Sequence, residues 1–327
     1  MKKRWIALCG LGAVVLGLYA VNNSWSASPE GRLTVLAHRG VHHTYSMEGL
    51  TRDSCTATAI HGPTHAFIEN TLPSMREAFR LGADAVEIDV HPTTDGEFAV
   101  FHDWTIDCRT EGKGVTREQS MAYLRTLDVG YGYTADGGKT FPLRGKGKGM
   151  MPTLAEVLAA FPDKAFHIHI KSNDPREADK LHAYLAARPY ARPDRLSVFG
   201  GERPVERLRA HYPRMRMASK PQLKRCLKDY MLIGWSGAVP KACRNAVIVA
   251  PTHMGWVLWG WPSRFLDRMQ GANSEVWLGS GVKGKVMSLQ GVDDAEAVAA
   301  VPKGWGGGVQ TDRIEVVGPL LRSQKQG

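Results

Sequence analysis

Glu87 and Asp89 stand two residues apart in a β-rich run, Ala85–Val90, that alternates in polarity, so both carboxylates share one face of a strand. An Asp95-Gly96 pair and a second short apolar run, Phe98–Phe101, follow; Asp-Gly between two such runs signals a hairpin. A two-residue turn at Asp95-Gly96 sets Asp89 directly opposite His102, with Asp103 next in line. Two hard oxygen ligands for a divalent cation, beside a group that transfers protons, are the parts of a metal-assisted hydrolysis site. The plain alternative is a surface hairpin with solvated acids.

Positioning such groups falls to the elements around them. Strands are expected at Leu33–Ala37, Ala85–Val90, Phe166–Ile170, Leu196–Phe199, Met215–Ala218, Ala246–Ala250, Glu275–Leu278 and Gly308–Thr311. Helical patterns lie between them at Leu72–Leu81, Leu154–Ala160, Ala178–Ala187, Pro204–His211, Gln222–Tyr230 and Pro262–Met269. The alternation reads as a single α/β unit, a (β/α)8 TIM barrel, with Phe98–Phe101 as an extra hairpin arm. Active groups of a barrel gather at the C-terminal ends of its strands. His38-Arg39 closes the first strand, Glu87 and Asp89 lie late in the second, and His169 and Lys171 close the third. Trp277, near another strand end, is a candidate for lining the pocket or for packing in the core.

Two stretches read as loops over that face. Residues 41–68 hold His42, His43, His61 and His65 without a sustained period, the pattern of a long lid loop. Four histidines invite a second metal site, weighed against half-exposed loop histidines. The glycine- and lysine-rich stretch Asp136–Gly149 offers backbone donors and cations for a phosphate, or is simply a mobile basic loop.

At the N-terminus, Lys2-Lys3-Arg4 precedes an uncharged apolar run from Trp5 to Val21. Residues 1–27 are expected to be a signal peptide or membrane anchor, leaving 28–327 as the barrel. The protein is then exported, periplasmic or extracellular, and open to membrane association through residues 5–21. The formal net charge of +10 suits anionic substrates or lipid headgroups. With no basic helix or aromatic-basic module, nucleic acid is excluded as a partner. Four cysteines remain beyond residue 27. Their even count favours two disulfides, expected as Cys55–Cys108 and Cys226–Cys243 because each pairing stays within one region of the chain.

The assembled motifs resemble those of the glycerophosphodiester phosphodiesterase family, a phospholipase C-like group of TIM barrels. They are Ala37-His38-Arg39-Gly40, Glu69-Asn70-Thr71-Leu72, Gly82–Val90, Thr94-Asp95-Gly96, Val100-Phe101-His102-Asp103, Pro152–Leu158 and Thr311-Asp312-Arg313, in the family's order. The resemblance implies that Glu87 and Asp89 ligate a divalent cation, with Glu69 helping to hold it. It implies that His38 and His102 are the general acid/base pair, that Arg39 binds and neutralises phosphate oxygens, and that Lys171 reaches the phosphate. Where the family usually has a glutamate two residues before that lysine, this chain has His169. Magnesium or calcium follows from the resemblance, while nitrogen ligation by His169 suits manganese or zinc better.

The implied reaction is metal-dependent hydrolysis of glycerophosphodiesters to an alcohol and glycerol 3-phosphate in lipid catabolism. Two rivals stand beside it. One is a sphingomyelinase D-like or lysophospholipase D-like barrel acting on intact lipids; the other is a non-catalytic binding protein whose metal site is weakened by His169.

Overall fold

The computed structural model describes residues 2–25, 27, 29, 31–50, 54–283 and 288–324. Its frame is eight parallel strands: β1 Thr34–His38, β2 Ala85–Pro92, β3 Ala165–Ile170, β4 Leu196–Gly200, β5 Met217–Ser219, β6 Val247–Pro251, β7 Glu275–Gly279 and β8 Gly308–Thr311. They pair in the order β5-β4-β3-β2-β1-β8-β7-β6. A single parallel bridge between Met217 and Ala246, with the Met217 N–H donating to the Asn245 carbonyl at 3.0 Å, brings the two ends together. The result is a nearly closed TIM barrel, and each expected strand falls on one of its staves.

Helices Leu72–Arg80 (α1), Leu154–Ala160 (α2), Arg176–Ala186 (α3), Glu202–His211 (α4), Lys220–Ile233 (α5), Ser263–Gly271 (α6) and Ile314–Gln324 (α7) pack around the strands. Local chemistry starts them. The Thr71 hydroxyl accepts from the Ser74 N–H, and Pro73 sits in the first turn of α1. Thr153 and Glu156 form a reciprocal capping box on α2. Strand residues alternate in destination: Val35, Ala37, Val86, Ile88 and Ile168 join the main core with Met75, Leu181 and Phe265. The intervening positions, Glu87, Asp89, His167 and His169, are thereby turned to the other face, inside the barrel.

The arm strand Phe98–Val100 pairs antiparallel with β2, but its register differs from the expected one. Val90 lies opposite Val100, His91 opposite Ala99 and Pro92 opposite Phe98. Thr93 N–H donates to the Glu97 carbonyl at 2.9 Å, so the loop holds three residues, Thr94 to Gly96, with Gly96 at φ 87°. That one extra residue moves His102 past Asp89; the Phe101 N–H donates to the Asp89 carbonyl instead, at 3.0 Å.

The expected lid is a packed lobe. Ala57, Ile60 and Ile68 from the loop bury against Phe101, Leu124, Val129 and Met151 from the segment between β2 and β3, a second core beside the barrel. Cys55–Cys108 ties the two segments together with a Cα–Cα distance of 5.5 Å. The second expected disulfide, Cys226–Cys243, is also present. The glycine-rich stretch is ordered from within: Asp128 accepts the N–H groups of Gly130, Gly145 and Gly147, and Asp136 those of Lys139 and Thr140. Those donors are spent on carboxylates, so the phosphate cradle anticipated there is not formed.

The N-terminal helix Lys2–Asn22 ends against the barrel, where Arg268 donates to the Val21 carbonyl at 2.9 Å. Among the described residues no helix is long and apolar enough to cross a membrane.

Candidate active site

The site is built at the C-terminal mouth. His38 is the last residue of β1, and the chain turns sharply behind it: Arg39 has φ 56° and Gly40 φ 84°. Only glycine fits at position 40, because a Cβ there would lie 2.5 Å from the Ser74 hydroxyl at the start of α1. This turn swings Arg39 inward, where its Nη1 donates to Glu69 Oε1 at 2.9 Å and its Nε lies 3.4 Å from Asp89 Oδ2. Asn70, also left-handed at φ 57°, donates its amide to Asp89 Oδ2 at 3.0 Å and accepts the Asp89 N–H.

Both histidines of the proposed acid/base pair are aimed by an aspartate. His38 Nδ1 donates to Asp312 Oδ1 at 2.7 Å, leaving Nε2 3.8 Å from Glu87 Oε2. His102 Nδ1 donates to Asp103 Oδ1 at 2.6 Å. Behind Asp103 a buried relay continues: Arg109 Nε lies 3.0 Å from Asp103 Oδ2, and its Nη1 donates to Glu69 Oε2 at 3.1 Å. Glu69 therefore sits between Arg109 and Arg39 and spends both oxygens on guanidinium groups. It braces the two arginines, and the ligating group described below does not include it.

Charge sets the protonation states. Burial and then the cations Arg39 and Lys171 push His102 down to about 4, so its imidazole is neutral at pH 7. Burial resists ionisation of Asp103, yet Arg109 and the His102 hydrogen bond outweigh it and hold the carboxyl at about 2. Asp89 is likewise held low against its burial, first by Lys171 and then by His102 and Arg39. Asp312 is kept ionised by His38 in spite of burial. Asp293 goes the other way, lifted to about 6 by burial and by the charge of Asp312, whose N–H it accepts at 2.6 Å.

Glu87, Asp89 and His169 form one ligating group, their donor atoms all within 4.8 Å of one another. His169 Nδ1 lies 3.0 Å from Asp89 Oδ1 and 3.5 Å from Glu87 Oε1. Glu87 Oε2 is buried with no hydrogen-bond partner, the kind of orphaned acceptor that a cation satisfies. The set therefore fits a divalent ion with mixed oxygen and nitrogen ligation. Lys171 Nζ donates to Asp89 Oδ1 at 3.1 Å and lies at the same cluster.

His38, Arg39, Glu69, Glu87, Asp89, His102, His169 and Lys171 are thus brought together. Trp277 is not. It sits mid-strand on β7 in a small cluster with Leu36, Ala85, Ala218 and Val247, beneath the site, and its indole donates to Glu275 at the first residue of the strand. It fills the barrel floor and does not line the mouth. The lid histidines also scatter: His43 stacks on His65 at 4.2 Å, His61 bonds Thr44, and only His42 approaches the site, with Nε2 3.5 Å from Asp312. The residues that sequence reasoning left without a role are Asp312, Asn70, Asp103 and Arg109. The first three stand inside the quoted motifs, a signal that was on the page; Arg109 carries none.

A sequence model of the glycerophosphoryl diester phosphodiesterase family matches residues 38–196, the span holding every site group except Asp312. Over that span, just under half of its length, the chain resembles this family. Among similar proteins, a glycerophosphodiester phosphodiesterase of Caldanaerobacter subterraneus subsp. tengcongensis is 35% identical over 32% of this chain and 39% of its own length. One from Bacillus subtilis is 32% identical over 42% of this chain and 47% of its own. The chain thus matches less than half the length of either relative. Solved structures extend the likeness of fold over the rest. A glycerophosphodiester phosphodiesterase from Agrobacterium tumefaciens superposes with a TM-score of 0.57 at 18% identity, covering 88% of this chain and 99% of that one. An Oleispira antarctica phosphodiesterase, solved with its product sn-glycerol-3-phosphate, gives 0.54 at 17% identity, covering 90% and 97%.

Proposed function

We propose that the protein hydrolyses glycerophosphodiesters to an alcohol and glycerol 3-phosphate, as a divalent-metal-dependent phosphoric diester hydrolase. The observation that carries this reading is the placement of Glu87, Asp89 and His169 beside two histidines, each oriented by its own aspartate. The family-model match over residues 38–196 and the product-bound Oleispira barrel support the same substrate class.

A phosphodiester repels nucleophiles, so its oxygens must be neutralised, the attacking oxygen placed and the leaving alkoxide protonated. Glu87, Asp89 and His169 would hold a divalent cation, which would supply positive charge against the phosphoryl oxygens. Arg39 and Lys171 add fixed positive charge at the same wall of the site. With Nδ1 committed to aspartate, each imidazole presents Nε2 for proton transfer: one withdraws a proton from the attacking hydroxyl and the other returns one to the leaving oxygen. His169, where the family has a glutamate, favours manganese or zinc over magnesium or calcium. The two disulfides support an oxidising compartment as the place of action.

A second reading, attack on intact lysolipid, is favoured by Trp256, which lies 86% exposed on the turn Thr252–Val257 leaving β6 at the same mouth. The deciding experiment is a panel of metals against glycerophosphocholine and lysophosphatidylcholine, with released glycerol 3-phosphate and choline measured. His38→Ala and His102→Ala are expected to lower turnover by roughly 10²–10⁴-fold each. Unchanged turnover in either variant overturns the assigned roles, and binding without turnover under any metal returns the barrel to a binding protein.

A further inference from the structure

A surface patch outside the catalytic cluster collects apolar side chains that a soluble face does not need. Leu232 is 64% exposed, Trp256 86%, and Ile233, Trp235 and Trp259 are each exposed to a lesser degree. They come from two segments, the end of α5 and the loop after β6, and specific bonds hold those segments together. Trp259 Nε1 donates to the Met231 carbonyl at 2.9 Å, the Tyr230 hydroxyl donates to the Trp259 carbonyl at 2.8 Å, and Arg268 donates to the Gly234 carbonyl at 2.9 Å. The patch is therefore rigid as well as apolar, and large apolar patches on an otherwise polar surface mark contact sites.

The N-terminal helix ends on the same ground. Asn22 donates to the Trp235 carbonyl at 2.8 Å, Ser24 to the Gly260 carbonyl at 2.8 Å, and Arg268 links Asn22 to Tyr230. Val15, Leu16 and Tyr19 on that helix are more than half exposed. The exposed apolar face of the helix is thus tied at its end to the segments that carry the barrel patch. Apolar side chains left exposed on a helix call for an apolar surrounding, and Val15, Leu16 and Tyr19 are left so.

Charge names the surrounding. Lys224 and Lys228 are exposed on α5 two turns and one turn before Leu232, so cations and apolar tip share one stripe of the helix. Exposed indoles beside lysines whose stems can lie along an apolar phase are the composition of a membrane interface. The chain as a whole is basic, with a net charge of +10.

We propose that this patch docks the barrel itself on an anionic lipid bilayer, with Trp256, Leu232 and Ile233 inserted at the headgroup level and Lys224 and Lys228 against the phosphates. Because Trp256 lies on a turn leaving the mouth that holds the catalytic groups, docking sets one rim of that mouth at the lipid surface. The proposal does not depend on which phosphodiester is cleaved, since its readout is binding.

The test is sedimentation of the full chain with vesicles of phosphatidylcholine, with and without phosphatidylglycerol. The triple variant Leu232→Ser, Ile233→Ser, Trp235→Ser is expected to lower the partition coefficient at least tenfold on anionic vesicles. Tyr190→Ser, an exposed aromatic elsewhere, should leave it unchanged. Circular dichroism and turnover of soluble glycerophosphocholine, both expected to match the parent, show that the triple variant is folded. Equal partitioning of parent and triple variant overturns the proposal and leaves any membrane binding to the N-terminal helix alone. A parent chain that dimerises without vesicles, and loses the dimer in the triple variant, also overturns it in favour of a second copy as occupant.

Discussion

The two ends of the barrel are made by the same eight strands and could hardly differ more. At the N-terminal floor lies a cavity of about 1220 Å³, bordered by Arg195, Arg216, Glu275 and Trp277. Charges there face one another or the backbone: Arg216 pairs with Glu275, and Arg195 donates to the Asp163 carbonyl at 2.7 Å. The C-terminal mouth is tighter, yet it keeps acceptors and bases whose needs are not met within the protein, Glu87 Oε2 among them. Volume alone is a poor guide to chemistry; unspent ionisable groups at fixed spacing are a better one.

That contrast can be broken or sharpened by substitution. Asp312→Asn and Asp103→Asn keep the shape of the mouth but unsettle the tautomer of their histidines. Each should lower kcat by roughly 10²-fold while KM moves little. Steady-state kinetics check this, and an unchanged kcat would reduce the aspartates to packing. His169→Glu should shift the ratio of manganese- to magnesium-supported turnover by about tenfold toward magnesium, read from metal titrations. At the floor, Trp277→Leu should leave kcat within about twofold and cost about 3 kcal/mol of stability, measured by denaturant unfolding. A catalytic loss at Trp277 as deep as at the histidines would dissolve the distinction between the two ends.

The smallest effect lies in the lobe. His43 is buried against His65, and burial followed by the charge of His65 lowers it to about 4, below its ordinary 6.5. The unfolded chain therefore takes up this proton first as pH falls, and stability drops between about 6.5 and 4. His43→Gln should flatten that slope by about 2 kcal/mol in unfolding curves taken at pH 7 and pH 4.

How far the sequence revealed this follows from the distance over which each signal acts. Glu87 and Asp89 were legible because strand alternation is local, and the eight strands because each carries its own apolar run. The hairpin register was misread because Asp-Gly suggested a two-residue loop, whereas Thr93 closes on Glu97 to make it three. Asp312 meets His38 across 274 residues of chain, and Arg109 reaches Glu69 across 40, spacings that no periodicity encodes. Trp277 stays open between pocket and core in the sequence because its place along a five-residue strand, third from the start, decides between floor and mouth.

The barrel closes through one parallel bridge, Met217 to Ala246, and this seam lies across the sheet from β1, β2 and β3, which carry the catalytic groups. Cys226 sits on the helix that follows β5 and Cys243 in the turn that leads into β6, so their bond is a clasp over that gap. By chain entropy such a clasp is worth about 3 kcal/mol. A barrel made this way frays, when it frays, at the stave junction farthest from its carboxylates, and the catalytic side stays in register while the other breathes.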